Sequence, residues 1–164
     1  GAASVDAAQV EAAAKRAVAP FERASAGGEN PFQVQAALQD TMQDLAGIVR
    51  NEEDLARALT AVQALRARGE QVAVGGNREY NPGWHTALDL PNLMTVSEAV
   101  VRSALDRKES RGGHFREDYP EKDPAAAKYN IAVRKAEDGS MEMEHLPIPP
   151  LPPELQAIVQ EMAG

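Results

Sequence analysis

The sequence predicts a mainly α protein: an antiparallel three-helix bundle, preceded by an N-terminal helix and followed by a β-hairpin and a proline-rich tail. Three observations carry that prediction. Apolar residues recur at three- and four-residue spacings along successive segments, several of them opened by an asparagine suited to capping a helix. Aromatic residues make up 4% of the chain while Ala, Leu and Val abound, so a core has to be assembled from small aliphatic side chains on helices. An Asp-Gly pair between two alternating stretches, followed by closely spaced prolines, marks a hairpin and then an extended arm. At 164 residues one domain with an appendage is expected. The boundaries read as an N-terminal helix and linker over 1–29, a helical bundle over 30–120 and a hairpin with an interaction tail over 121–164.

Residues 5–24 have helical composition, with Ser4 as N-cap, a thin stripe of Val5, Ala8, Ala12, Ala13 and Val18, and Pro20 as a kink or an end. Ala26-Gly27-Gly28-Glu29 reads as a loop, and Asn30-Pro31 as a cap followed by the favoured first-turn proline. Val34, Leu38, Met42, Leu45 and Val49 then fall on one helical face, each contributing roughly 1.5–3 kcal/mol when fully buried. Asn51 caps the next helix, with Glu52, Glu53 and Asp54 in the first turn, where the helix dipole favours negative charge. Leu55, Leu59, Val62 and Leu65 form its stripe, and Arg66, Arg68 and Gly69 close it. The short link at Arg50-Asn51 makes these helices antiparallel neighbours. Residues 70–81 form an irregular connection containing Gly75-Gly76. Asn81-Pro82 repeats the cap signal, and Trp84, Leu88, Leu93, Val96, Val100 and Ala104 make a third stripe reaching to about Ser110. Pro91 predicts a kink or break near Asp89, and Gly112-Gly113 the stop.

Residues 129–134 and 140–145 alternate apolar and polar side chains around Asp138-Gly139. Pro147, Pro149, Pro150, Pro152 and Pro153 impose an extended rod before a short amphipathic helix carrying Leu155, Ile158, Val159 and Met162. A hairpin and arm that cannot bury themselves are expected to lie over another surface.

Composition removes several function classes. Net charge is −8 and the isoelectric point is near 4.9, with no basic block to drive counterion release, so no nucleic-acid partner is expected. The absence of cysteine excludes disulfides and thiolate metal sites and is compatible with a reducing compartment. No apolar run approaches the roughly 18–20 residues of a membrane helix, and no signal-peptide pattern is present, so direct membrane insertion is not expected. His85, His114 and His145 lie far apart without companion ligands at helical spacing. Gly75-Gly76 lacks the strand-to-helix setting of a dinucleotide fingerprint, Ser110 has no neighbouring base, and Trp84 reads as a core aromatic. No catalytic, cofactor-binding or metal-ligating residue is therefore expected in the chain. Gly1-Ala2 reads as a cloning remnant, and the Ala-rich beginning as a cut inside a longer polypeptide.

One stretch stands apart. Residues 102–116 carry five Arg or Lys against two Asp or Glu inside an acidic chain. Arg102, Arg107 and Lys108 can complement the negative end of a helix, with Asp106 and Glu109 as solvated partners. That leaves Arg111, His114, Arg116, Asp118 and Tyr119 beyond the glycines, where planar guanidinium groups suit carboxylates, phosphates or carbonyl oxygens of an adjoining domain. Glu109, Arg111, His114, Arg116, Asp118 and Tyr119 are the candidate interface residues, with Glu109 positioning Arg111.

Asn81-Pro82-Gly83-Trp84-His85, Asn92-Leu93, Val96-Ser97-Glu98-Ala99-Val100, Ser103-Ala104-Leu105, Glu109-Ser110-Arg111-Gly112-Gly113-His114 and Arg116-Glu117-Asp118-Tyr119-Pro120 together resemble the C-terminal helical domain of the succinate dehydrogenase and fumarate reductase flavoprotein subunit. Leu38-Gln39, Met42, Gly47-Ile48-Val49-Arg50 and Asn51-Glu52 extend the resemblance upstream. It implies a small helical bundle and a meandering tail packed on the flavin-binding and capping domains of the same chain and near an iron–sulfur subunit. The implied parent oxidises succinate or reduces fumarate with FAD, exchanges electrons with quinone, and sits peripherally on the inner face of the bacterial cytoplasmic membrane. The family's FAD and substrate residues lie in earlier domains, so no cofactor is implied for this chain itself. Aspartate oxidase is the nearest alternative family, although Phe115-Arg116-Glu117 is closer to the succinate dehydrogenase pattern; a free-standing acidic binding module is the other alternative.

Overall fold

A computed structural model describes residues 4–24 and 27–162; Gly1-Ala2, and Ala26 at the start of the expected loop, lie outside them. The elements run α1 (Ala7–Glu22), α2 (Pro31–Ala46), β1 (Val49–Arg50), α3 (Glu52–Gly69), α4 (Pro82–Asp106), β2 (Phe115–Arg116), a 3-10 turn (Ala126–Lys128), β3 (Tyr129–Lys135), β4 (Met141–Pro147) and α5 (Pro153–Met162). The fold is mainly α, with a three-helix bundle, an N-terminal helix and a C-terminal hairpin.

Asparagine caps set the three bundle helices. The side chains of Asn30, Asn51 and Asn81 accept from the backbone N–H of Phe32, Asp54 and Trp84 at 2.9, 2.8 and 3.0 Å. Each satisfies one of the four orphan donors that open a helix. At α1 the cap is Asp6 instead of Ser4: its carboxylate accepts from Ala8 N–H at 2.9 Å. Pro20 does not end α1, which continues two residues further. The Pro20 carbonyl accepts from Val74 N–H at 3.0 Å, while Trp84 Nε1 donates to the Ala17 carbonyl at 2.6 Å; together these fasten α1 to the bundle.

Helices α2, α3 and α4 each pack on the other two, around two apolar clusters. The larger joins Val34, Leu38, Val62, Leu65, Leu90 and Met94 to Val72 and Val74, so the irregular connection over 70–81 contributes core residues. The smaller gathers Ala46, Leu55, Ala58, Val101 and Ala104 at the end of the bundle where α2 finishes, α3 begins and α4 finishes.

Helix α4 departs from expectation in three ways. It runs without a break through Pro91, which lies on the exposed side while Leu90 and Met94 flank it in the core. It stops at Asp106, before Ser110 and the glycine pair, because Arg107 is extended. Its buried face is Ala87, Leu90, Met94, Ser97, Glu98, Val101 and Ala104, whereas Leu88, Val96 and Val100 of the expected stripe remain exposed. The core face is masked in sequence by Ser97 and Glu98; the Glu98 carboxylate is held by Arg66 and Arg102 at 2.9 and 2.8 Å. Val49 is likewise not helical: it pairs in parallel with Phe115, and Arg50 with Arg116.

In the antiparallel hairpin Tyr129 faces Pro147 and Lys135 faces Met141. Gly139, at φ +86°, supplies the left-handed residue that closes its three-residue turn. His145 stacks on Tyr129 and bonds to Asp106, tying the hairpin to the end of α4. Helix α5 leaves Leu155, Ile158, Val159 and Met162 exposed.

Leu90→Ala is expected to cost about 2–5 kcal/mol in urea unfolding, whereas Val96→Ala should cost under about 0.5 kcal/mol. The reverse order would reject this face assignment.

Candidate functional site

The candidate residues converge where the smaller apolar cluster ends. After Asp106 the chain leaves α4 and turns tightly, with reciprocal backbone bonds between Arg111 and His114 at 2.8 and 3.1 Å and Gly112 at φ +61°. It then lays β2 beside β1: Phe115 N–H donates to the Ile48 carbonyl at 3.2 Å, and Glu117 N–H to the Arg50 carbonyl at 2.8 Å. Ser110 stitches this loop, its hydroxyl accepting from Arg116 N–H at 2.8 Å and donating to the Tyr119 carbonyl at 2.9 Å.

Arg116 is 0% exposed and is the centre of the arrangement. Its Nε and Nη2 donate to the two Asp118 carboxylate oxygens at 2.7 Å each, a bidentate pair. Nη2 also donates to Glu52 Oε2 at 2.7 Å, and Nη1 donates to the Ala104 carbonyl at 2.8 Å. The guanidinium thus answers a terminal carbonyl of α4 and the negative pole of that helix. Asp118 Oδ2 accepts from Glu52 N–H at 3.0 Å, at the positive pole of α3. The Tyr119 ring covers the guanidinium, 5.0 Å from its carbon to the ring centroid.

Glu109, also without exposed surface, organises the second half. It accepts from Arg107 at 2.7 Å, from Arg111 at 2.9 Å through each oxygen, and from Asp123 N–H at 2.8 Å. The Arg111 guanidinium foremost, then the Asp123 amide and Arg107, outweigh the burial that opposes ionisation and hold the Glu109 carboxyl at about 2. Asp118 is likewise lowered to about 2, chiefly by Arg116 and then by the Glu52 amide.

His114 is half-buried. Arg50 Nη1 donates to its Nδ1 at 2.8 Å, and since a guanidinium can only donate, Nε2 carries the proton and donates to the Arg107 carbonyl at 3.1 Å. Burial first, then the charges of Arg50, Arg116 and Arg107, push the imidazole below its ordinary range.

All six candidates therefore lie in one cluster, but not as one outward-facing rim. Glu109 and Arg116 point inward, because each is the buried member of its ion pairs and finds hydrogen-bond partners on the backbone and side chains around the end of α4. Arg111 and Asp118 keep 38% and 30% of their side chains exposed, and Tyr119 is exposed. Sequence alone does not single out Arg50 and Glu52 as members, and it assigns Arg107 only to the helix dipole. The Arg50-Asn51-Glu52 part of the quoted family motif was the available signal for the first two.

A family model described as fumarate reductase flavoprotein C-term matches residues 35–158. A fumarate reductase flavoprotein subunit of Mycobacterium tuberculosis is 30% identical over 142 residues, 86% of this chain and 24% of that relative. The structure of Mycobacterium smegmatis Sdh1 in complex with UQ1 superposes with a TM-score of 0.88 at 39% identity, covering 96% of this chain and 27% of its own. An L-aspartate oxidase of Streptomyces coelicolor is 28% identical over 123 residues, 75% of this chain and 21% of that relative. The chain thus spans about a quarter of the length of these relatives.

Glu109 and Asp118 hold fewer protons folded than unfolded between about 2 and the ordinary carboxylate value of about 4. Their contribution to stability is present above about pH 4 and is lost as pH falls toward about 2. The urea midpoint should fall through that window, and fall less in Glu109→Gln and Asp118→Asn; a wild-type midpoint that stays level there contradicts the assignment. Arg116→Ala should cost about 2–4 kcal/mol, by leaving a cavity and an unpaired Ala104 carbonyl, and a loss below about 1 kcal/mol would deny Arg116 its central place.

Proposed function

The chain belongs to the fumarate reductase flavoprotein C-terminal family, and from that premise we propose that it is the helical scaffold of a succinate dehydrogenase or fumarate reductase flavoprotein subunit. In this role it braces the flavin-binding and capping domains of the same chain and helps to form the face met by an iron–sulfur subunit, without entering the chemistry itself. The parent oxidises succinate to fumarate, or runs the reverse, with FAD, and exchanges electrons with quinone through the iron–sulfur subunit. It is peripheral on the inner face of the bacterial cytoplasmic membrane. No helix among the described residues is long and apolar enough to cross a membrane.

The observation that carries this reading is how the cluster spends its bonds. Glu109 and Arg116 are buried and join α3, α4 and the loop that follows, which is the work of a scaffold. Arg111, His114, Asp118 and Tyr119, exposed or half-buried, are the members left to meet neighbouring domains, with Glu109 positioning Arg111 from behind. Residues 30–120 supply the bundle, and residues 121–164 the arm laid over a neighbour. The two-stranded sheets of the described residues offer no strand-to-helix glycine turn to cradle a pyrophosphate. In this reading FAD is held by the parent's other domains, and no step of hydride transfer is assigned to the residues of this chain.

Deleting residues 30–164 from the parent should lower the bound-flavin ratio and abolish succinate-dependent dye reduction, while residues 1–164 alone reduce no dye. Full flavin retention after the deletion, or dye reduction by the isolated chain, would defeat the proposal. A parent flavin reduced by L-aspartate but not succinate would shift it to an aspartate oxidase.

A further inference from the structure

The exposed side of α4 carries Val96, Ala99, Val100 and Ser103 at three- and four-residue spacings, a second apolar stripe beside the one that builds the core. Val96 is 63% exposed and Val100 39%. With Ile131 of β3 they wall an open groove of about 580 Å³ that also reaches Arg50, Arg107 and His114.

The cations at this site are not equivalent. Arg107 is paired with the buried Glu109. Arg50 is half-buried, and its guanidinium donates to the carbonyls of Ala46 and Gly47 and to His114 Nδ1, all neutral acceptors. Among the described residues it has no carboxylate partner within salt-bridge distance, unlike Arg107, Arg111 and Arg116. A half-buried guanidinium facing only neutral groups, at an apolar groove, is complementary to a segment that combines aliphatic side chains with a carboxylate. Some three quarters of the length of the relatives lies outside the region this chain matches, which makes the parent's own chain an available source.

Resting on the scaffold reading above, we infer that this groove receives a segment of the parent flavoprotein from outside residues 1–164, one that lays aliphatic side chains on Val96, Val100 and Ile131 and sets an Asp or Glu carboxylate on Arg50. The inference also accounts for the exposed half of α4: the stripe of Val96 and Val100 is apolar because it is covered in the whole protein rather than in the bundle.

The test is photo-crosslinking in the full-length parent carrying p-benzoylphenylalanine in place of Val96, with the adduct mapped by peptide mass spectrometry. The expected adduct is intramolecular, to a peptide outside residues 1–164 that contains an acidic residue. Its yield should fall several-fold in Arg50→Gln and in Val100→Asp, which puts a like charge in the groove, and should recover in Arg50→Lys. An adduct to a separate polypeptide or to a second copy, no adduct, or a yield indifferent to both variants would overturn the inference. If deletion of residues 30–164 still costs the parent its flavin while the crosslink fails, only the groove assignment falls and the scaffold reading stands.

Discussion

Two helix ends of opposite polarity meet at one place in this molecule, and a single ion pair answers both. Helix α4 finishes with carbonyls that have no partner further along the helix, α3 opens with amides that have none behind, and Arg116 and Asp118 reach from the same loop to one of each. A guanidinium suits the first pole and a carboxylate the second. Because the two side chains also bind each other through parallel bonds, placing one places the other. The Glu109 cluster repeats the logic on the far side of the loop, where one buried carboxylate holds two arginines and the backbone of Asp123.

This constraint explains why a loop rich in charge lies against the smaller and weaker of the two apolar clusters. Ala46, Ala58 and Ala104 bury little surface each, and hydrophobic stabilisation scales with area removed from water. At that end of the bundle, hydrogen bonding and ion pairing supply the specificity that large side chains supply at the other. The ordering extends outward: β2 pairs with β1, His114 settles as a neutral acceptor for Arg50, and the hairpin is fastened to α4 through His145 and Asp106.

The features legible in sequence were those fixed by local chemistry. Asn30, Asn51 and Asn81 announce helix starts because a short polar side chain can satisfy an orphan amide within three residues, and Asp138-Gly139 announces a turn because its left-handed residue must be glycine. What stayed hidden was decided at a distance. The buried side of α4 contains Ser97 and Glu98, whose polarity disguises it until Arg66, 32 residues earlier on α3, is seen to neutralise Glu98. Strands of two residues leave no periodic trace, so the pairing of Arg50 with Arg116 could not be read. For the same reason the inward course of Arg116 was missed: a guanidinium in a polar run looks like surface until its acceptors on α3 and α4 are assembled around it.

Native-state hydrogen exchange on Arg116→Gln tests the central claim most directly. If the Arg116–Asp118 pair organises this end of the bundle, the amides of Glu52, Phe115 and Glu117 should lose protection together, while those of the α2 core turn around Leu38 keep theirs. Unchanged protection at the three amides, or a uniform loss across the chain, would contradict it.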